Sequence, residues 1–241
     1  SFSAAGVFFE GLAVCQGYSE ALSILCNRAG IPALYMSGES LGQRHAWNLV
    51  QVDDEWYHVD ATWDDPTPDA PGQANCTYLF LTDADIRKDH APEFAPVTCD
   101  SGRFSWMHRM RHVLRLADGY WLFADGENGD RLTLSGPDGD DPTPVLRGSR
   151  RPREIRGYYP VVHGETLYFS DFDDSARICQ APLDAVLLTD PSRIQPLRTD
   201  AFPTGIVQAR NLVIEGDVLS YELFDDDGDP AGQGTVRLTS S

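Results

Sequence analysis

Three residues in the first quarter of the chain could together carry out nucleophilic catalysis. They are Cys15, His45 and Asp60. A thiolate attacks acyl carbons, an imidazole takes and returns the proton, and a carboxylate fixes the imidazole tautomer. Each residue alone is common in protein cores, so the chemistry depends on local structure that brings the three together.

Cys15 is predicted to stand at the start of an α-helix. After Cys15, apolar residues recur along the chain at steps of three and four. Gly30 and Pro32 end this segment after about four turns. The periodic positions are Tyr18, Ala21, Leu22, Leu25, Cys26 and Ala29. Unpaired N–H groups and the positive end of the macrodipole at a helix start favour a thiolate. The same N–H groups could bind an oxyanion, and Gln16 is a candidate donor there.

His45 and Asp60 are predicted to meet across a β-hairpin. The stretches on either side of Asp53-Asp54 are rich in β-branched and aromatic residues, which is typical of two strands joined by a tight turn. A two-residue loop at Asp53-Asp54 sets Asp60 opposite Trp47, so that His45 and Asp60 become diagonal neighbours on one face. A three-residue loop would separate them onto opposite faces.

The motifs around these residues resemble those of the transglutaminase-like superfamily. The segments that carry the resemblance are Cys15-Gln16-Gly17-Tyr18, His45-Ala46-Trp47-Asn48 and residues 56–65, with 78–81 and 88–90 similar to bacterial members. The resemblance covers residues 11–99 and implies a papain-like Cys-His-Asp triad. It further implies acyl transfer to water, as in a peptidase, or to an amine, as in a transglutaminase. His90 belongs to a resembling segment, but the sequence gives it no physical role.

The predicted fold class is α+β. A papain-like transglutaminase core, with the nucleophile helix packed on an antiparallel sheet, is expected over residues 1–102, and an all-β repeat domain over 103–241. Only fourteen residues precede Cys15, so we expect the sequence to begin inside the catalytic domain. Residues 38–44 are predicted to form a polar loop that borders the cleft.

The second half carries three similar stretches, each a turn glycine followed by an apolar strand. They begin at Leu116, Val162 and Ile214. The turn glycines of the three stretches are 45 and 52 residues apart. A repeat of that length fits β-meanders or propeller blades. A propeller needs at least four blades, which leaves three interpretations open: a propeller fragment, a different sandwich, or completion by another chain.

Composition narrows the set of partners. The 241 residues hold 19 basic and 37 acidic side chains, a net charge of −18, which argues against nucleic acid. No apolar run approaches the length of a transmembrane segment. The cysteine and histidine spacings do not suggest zinc, so neither a metal nor a cofactor is predicted. The expected partners are a peptide or protein substrate, and a protein or carbohydrate for the β domain.

Several functional alternatives stay open at this stage. Tyr18 and Trp47 are cleft candidates, although both residue types also serve as core packing. Hydrolysis is favoured over transfer to an amine, because water needs no binding channel. The rivals to an enzyme are a binding module with an idle triad and a structural surface protein. The sequence leaves the cellular location open, with an extracellular or cell-surface location favoured over the cytoplasm.

Overall fold

The computed structural model describes residues 1–65, 73–148, 153–174, 177–184, 190–197 and 206–238. The structure is mostly β-sheet, with 45% of residues in strands and 18% in helices. The chain divides into two compact units, Ser1–Thr67 with Asn75–His108, and Pro68–Ala74 with Arg109–Ser241. Within the described ranges, no helix combines the length and the apolar character that crossing a membrane requires.

The first unit contains a helix, a four-stranded antiparallel sheet and a second, short helix. In chain order the elements are a π-helical turn Gly6–Glu10, α1 Cys15–Arg28, β1 Ala33–Ser40, β2 Gln43–Val52, β3 Glu55–Val59, α2 Asp83–Ile86 and β4 His90–Pro92. The strand order is β3-β2-β1-β4, so a strand from late in the unit pairs with β1.

Helix α1 begins at Cys15, as the sequence predicts, and runs for 14 residues. Gly30, with φ of +78°, follows the last turn and reverses the chain in the left-handed region. The helix packs through small residues, since Gly17 and Ala21 are buried. A Cβ at Gly17 would lie 2.9 Å from the carbonyl oxygen of Ser3, so only glycine fits there.

The predicted apolar face of α1 is only partly buried. Leu25 is 53% exposed, and Ala29 is also exposed. The sheet meets the helix instead through Asn48, whose amide donates to the carbonyl of Ser19 at 3.0 Å and to Ser23 Oγ at 2.8 Å. These buried polar contacts help to set which side of the helix faces the sheet. Apolar periodicity carries no information about polar contacts, so the side predicted from it is only partly correct.

The β2–β3 hairpin has the predicted register. Val52 pairs with Glu55 and Asn48 pairs with Val59. The two loop residues, Asp53 and Asp54, have φ of +50° and +66°, the left-handed conformations that a type I′ turn requires. The predicted two-residue loop is confirmed. The strand register that brings residues 45 and 60 to one face is confirmed with it.

The prediction of a polar loop over residues 38–44 is wrong. Strand β1 continues to Ser40 and β2 begins at Gln43, with Gly38 paired to His45. Leu41 and Gly42, with φ of +50° and +77°, form the turn between them. The polar residues of this segment lie on the ends of two paired strands, because antiparallel pairing satisfies their backbone groups without requiring an apolar sequence.

Besides 3₁₀ turns at Gly126–Asn128 and Pro191–Arg193, the described part of the second unit consists mainly of β-strands. They are β5 Met110–Arg115, β6 Trp121–Asp125, β7 Arg131–Ser135, β8 Thr143–Pro144, β9 Leu146–Arg147, β10 Arg153–Glu154, β11 Gly157–His163, β12 Thr166–Asp171, β13 Arg177–Pro182, β14 Gln195–Pro196, β15 Ile206–Glu215, β16 Val218–Asp225 and β17 Pro230–Arg237. They form three antiparallel meanders, β5-β6-β7-β8, β11-β12-β13-β14 and β15-β16-β17, and a small β9–β10 pair.

Each of the three similar stretches opens one meander. Gly119, Gly164 and Gly216 have φ of +91°, +58° and +58°, and each lies in the turn between the first two strands of its sheet. The glycine and the apolar strand behind it therefore recur because each sheet starts with the same kind of hairpin.

Candidate active site

Cys15 is half-buried and opens onto a cavity of about 270 Å³ in the first unit. The walls of this cavity include Cys15, Gln16, Tyr35, Arg44 and His45. The first N–H groups of α1 have no partner within the helix, because they lie ahead of its first backbone hydrogen bonds. A thiol, an imidazole and the first residues of a helix are thus brought to one cavity.

The His45 ring is tied to Asp60. Its Nε2 lies 2.6 Å from Asp60 Oδ2, and the two side chains are 9% and 0% exposed. The carboxylate engages Nε2, and Nδ1 is the other nitrogen of the ring. The predicted closeness of His45 and Asp60 is therefore present, although Asp60 lies one residue beyond the end of β3.

Asp60 is held by four hydrogen bonds. Its Oδ1 accepts from the backbone N–H groups of Thr62 at 3.0 Å and Trp63 at 3.2 Å. Its Oδ2 is shared by His45 Nε2 and by His90 Nε2, which lies at 3.0 Å. Burial alone would raise the pKa of Asp60, but the hydrogen bonds from the two histidines outweigh it and lower the pKa. The side chain is therefore a carboxylate at neutral pH.

His90 is the residue that sequence reasoning missed. Its Nδ1 lies 2.5 Å from Asp89 Oδ1, so both ring nitrogens face a carboxylate oxygen. Burial would lower the pKa of His90, but the bonds to Asp60 and Asp89 outweigh it and raise the pKa. The only sequence signal was the resemblance of Lys88-Asp89-His90 to the superfamily, which marks the residue without placing it.

The other three predicted site residues differ in their surroundings. Gln16 is the second residue of α1 and lines the cavity. Tyr18 is half-buried, and its hydroxyl donates to Asp65. Trp47 is fully buried, and its indole N–H donates to His58 Nδ1 at 2.9 Å. The structure thus places Trp47 in the core beside His45, with its only polar hydrogen already committed.

His58 belongs to a second buried pair. Its Nδ1 accepts from Trp47, and its Nε2–H donates to Asp83 Oδ1 at 2.9 Å. Burial lowers the pKa of His58, and Asp83 offsets this only in part, so the ring is neutral. The arrangement satisfies both ring nitrogens and supports the core.

Among the residues that the structure describes, two side-chain clusters each bring three potential metal-ligand atoms within 4.8 Å of one another. They are His45, Asp60 and His90, and His58, Asp83 and Cys99. In both clusters the histidine nitrogens lie at hydrogen-bond distance from carboxylate oxygens, from 2.6 to 3.0 Å. Shared protons account for this closeness, so we treat both clusters as hydrogen-bond networks.

Comparison with known proteins points to the same class of chemistry. Residues 2–61, a quarter of the chain, match the family model of the transglutaminase-like superfamily. This superfamily is one of cysteine-based acyl transfer, and it includes peptidases and acyltransferases. The matched segment contains Cys15, His45 and Asp60. A search of the curated proteins found no match for this chain.

Proposed function

We propose that the protein is a cysteine-dependent hydrolase of peptide or glutamine-type amides, with Cys15, His45 and Asp60 as a papain-like triad. One observation carries the proposal: Cys15 and His45 line the same cavity, while His45 is hydrogen-bonded to a buried carboxylate. The family match over residues 2–61 supports the reaction class. Residues 1–102 would form the catalytic domain, and residues 103–241 a domain of three β-repeats that contacts a protein or carbohydrate partner.

The proposed reaction follows from the hydrogen bonds. His45 takes the thiol proton of Cys15 at Nδ1, while Asp60 holds the proton on Nε2 and fixes the tautomer. The thiolate attacks the amide carbonyl, and the N–H groups at the start of α1, including that of Gln16, stabilise the oxyanion. His45 then gives its proton to the leaving amine. The remaining thioester is hydrolysed by water.

Water is the proposed acyl acceptor rather than a lysine amine. Transfer to an amine requires a site that admits the second substrate and excludes water. Arg44, on the cavity wall, carries a positive charge and is ion-paired with Glu93, and both side chains are exposed to solvent. A solvent-open ion pair on the wall does not enclose the dry channel that an amine acceptor requires, whereas water needs no site of its own.

The test is the mass of the acyl-enzyme. The full chain is mixed with a peptide library, with and without a primary amine at low concentration, and intact and peptide masses are recorded. We expect a thioester on Cys15 that decays to free acid, and no adduct in Cys15→Ala. Cys26→Ala is the matched control, because it removes a half-buried thiol from the same helix outside the cavity walls.

Two results would overturn the proposal in different ways. An amine conjugate that outcompetes the acid would identify a transglutaminase. A folded protein that forms no acyl-enzyme and does not label selectively at Cys15 would identify a binding module with an idle triad. The two outcomes are distinguishable in one experiment, because the product mass and the labelled residue are read separately.

A further inference from the structure

His90 lies between two carboxylates and is fully buried. Its Nε2 is 3.0 Å from Asp60 Oδ2, its Nδ1 is 2.5 Å from Asp89 Oδ1, and its side chain is 0% exposed. A neutral imidazole has one N–H and one lone pair, so it can satisfy only one of these contacts. The other nitrogen would direct its lone pair at a carboxylate oxygen. Only an imidazolium, with two N–H donors, satisfies both.

The aromatic surroundings of the ring also suit a cation. The ring centres of Trp47, Trp63 and Tyr78 lie 5.1, 5.0 and 5.7 Å from that of His90. Aromatic rings stabilise a nearby positive charge, most strongly when water is excluded. The Tyr78 hydroxyl donates to Asp89 Oδ2 at 2.7 Å, so it holds the second carboxylate in place.

The charged and titratable groups around His90 come from three parts of the unit. Asp60, after β3, and Asp89, before β4, are its direct partners. His45, on β2, has its ring centre 5.3 Å away. His58 is neutral and accepts a hydrogen bond from Trp47, whose ring also packs against His90. Asp64 lies close enough to Asp60 for the charge of Asp60 to add to the burial that raises the pKa of Asp64.

We infer that His90 is a positioning residue of the site, held as an imidazolium between Asp60 and Asp89, and that its charge keeps Asp60 ionised and aimed at His45. The inference rests on the proposed function, in which Asp60 orients His45. Without a cation, a buried carboxylate would tend to take up a proton. With His90 charged, Asp60 keeps its charge and four fixed hydrogen bonds.

The charge of His90 also acts on the reaction. A positive charge 5.3 Å from His45 disfavours a second positive charge on that ring. Cys15 lines the same cavity as His45, so the charge acts on it in the same direction and favours a thiolate. The His45 imidazolium that forms during the reaction is therefore a readier proton donor to the leaving amine. Removal of the His90 charge should move both limbs of a bell-shaped pH–rate profile to higher pH. For the limb that reports on His45, the expected shift is about two pH units, the size of a charge effect at this distance in an effective dielectric constant of about 20.

The first test needs no activity. Nuclear magnetic resonance of the full chain, with nitrogen-labelled histidine, reports whether each ring nitrogen is protonated. We expect both nitrogens of His90 to stay protonated from pH 6 to pH 8, and His58 to show one. His90→Gln assigns the signal by its loss. A His90 ring that is neutral at pH 7 would overturn the inference, whatever reaction the protein catalyses.

The second test compares His90→Gln with His58→Gln. Both variants remove a buried histidine paired with an aspartate, so both lose packing, but only the first removes a charge beside Asp60. The rate of Cys15 alkylation by iodoacetamide, and of acyl-enzyme formation where a substrate is found, is measured from pH 5 to pH 10. We expect both limbs to lie at higher pH in His90→Gln, by up to about two units, and to be unmoved in His58→Gln. Unmoved limbs in a folded His90→Gln protein would refute the role. Alkylation at Cys15 does not depend on a substrate, so failure of the hydrolase proposal would be seen separately.

Discussion

Replacement of Asp60 by asparagine should nearly abolish acyl transfer while the fold is kept. In the structure, Asp60 Oδ1 accepts from the N–H groups of Thr62 and Trp63, and Oδ2 accepts from His45 and His90. Asparagine offers one oxygen and one NH2 group in the same space. Its orientation therefore decides which pair of partners loses an acceptor.

The backbone contacts decide the orientation. If the new NH2 group faced the N–H groups of Thr62 and Trp63, two buried donors would be left unpaired, at about 1–3 kcal/mol each. The amide oxygen should therefore stay on the backbone side, and the NH2 group should donate to His45 and His90. His45 must then accept at Nε2 and carry its proton on Nδ1, the nitrogen that has to receive the thiol proton.

The expected loss in kcat is about 10²–10⁴-fold, the range associated with a wrong tautomer in an orienting carboxylate variant. That range corresponds to about 3–5 kcal/mol of barrier height. The free energy of unfolding should fall by only about 1–3 kcal/mol, since each partner keeps a hydrogen bond. The assay is the single-turnover rate of acyl-enzyme formation, with unfolding followed by circular dichroism.

Asp54→Asn is the matched control. It makes the same chemical change in the turn of the same hairpin, where φ is +66° and asparagine is well tolerated. We expect its acylation rate to equal that of the parent protein. A folded Asp60→Asn variant that keeps more than about a tenth of the parent rate would refute the tautomer argument, because tautomer control contributes far more than tenfold.

Three further predictions concern thiols, a buried carboxyl and a turn. Iodoacetamide at pH 7 should label Cys15 at least tenfold faster than Cys76 and Cys99, because burial raises the pKa of both these thiols to about 12. Comparable labelling of the three cysteines in peptide mass maps would contradict this. Burial raises the pKa of Asp64 from 3.8 to about 8, so the folded state retains a proton that the unfolded state loses, and stability falls as pH rises through that window. In urea titrations, the unfolding free energy of Asp64→Asn minus that of the parent protein should therefore increase from pH 5 to pH 8.5. An equal difference at the two pH values would refute the raised pKa of Asp64. Gly164→Ala, at φ of +58°, should lower the unfolding free energy of the β-repeats by about 1–2 kcal/mol without changing Cys15 labelling, and an unchanged thermal midpoint would speak against the left-handed turn.

The sequence by itself determined the local geometry of the site. The start of α1 at Cys15 follows from the periodicity of its apolar residues and from Gly30. The hairpin register follows from Asp53-Asp54, because a two-residue turn leaves a single parity for every pair beyond it. His45 and Asp60 are only 15 residues apart, so a single local turn is enough to relate them. The catalytic roles of the three residues stay a proposal.

The sequence also marked the three meanders of the second half, since each opens with a turn glycine and an apolar strand. It did not predict that residues 38–44 lie largely in paired strands, nor which side of α1 meets the sheet. Both depend on partners elsewhere in the chain: β2 across from β1, and Asn48 against Ser19 and Ser23. Periodicity measures where apolar residues lie along an element, and it carries no information about buried polar contacts.

Only the tertiary structure decided the surroundings of Asp60. His90 lies 30 residues beyond Asp60 and reaches it because β4 pairs with β1, with Ser40 opposite His90. Strand pairing at that sequence distance is set by the closure of the whole sheet, which no local pattern encodes. Trp47 likewise turned out to be committed to His58 inside the core. A short turn can bring a nucleophile's base and its orienter together, but the charge that keeps the orienter ionised arrives only when distant strands pair.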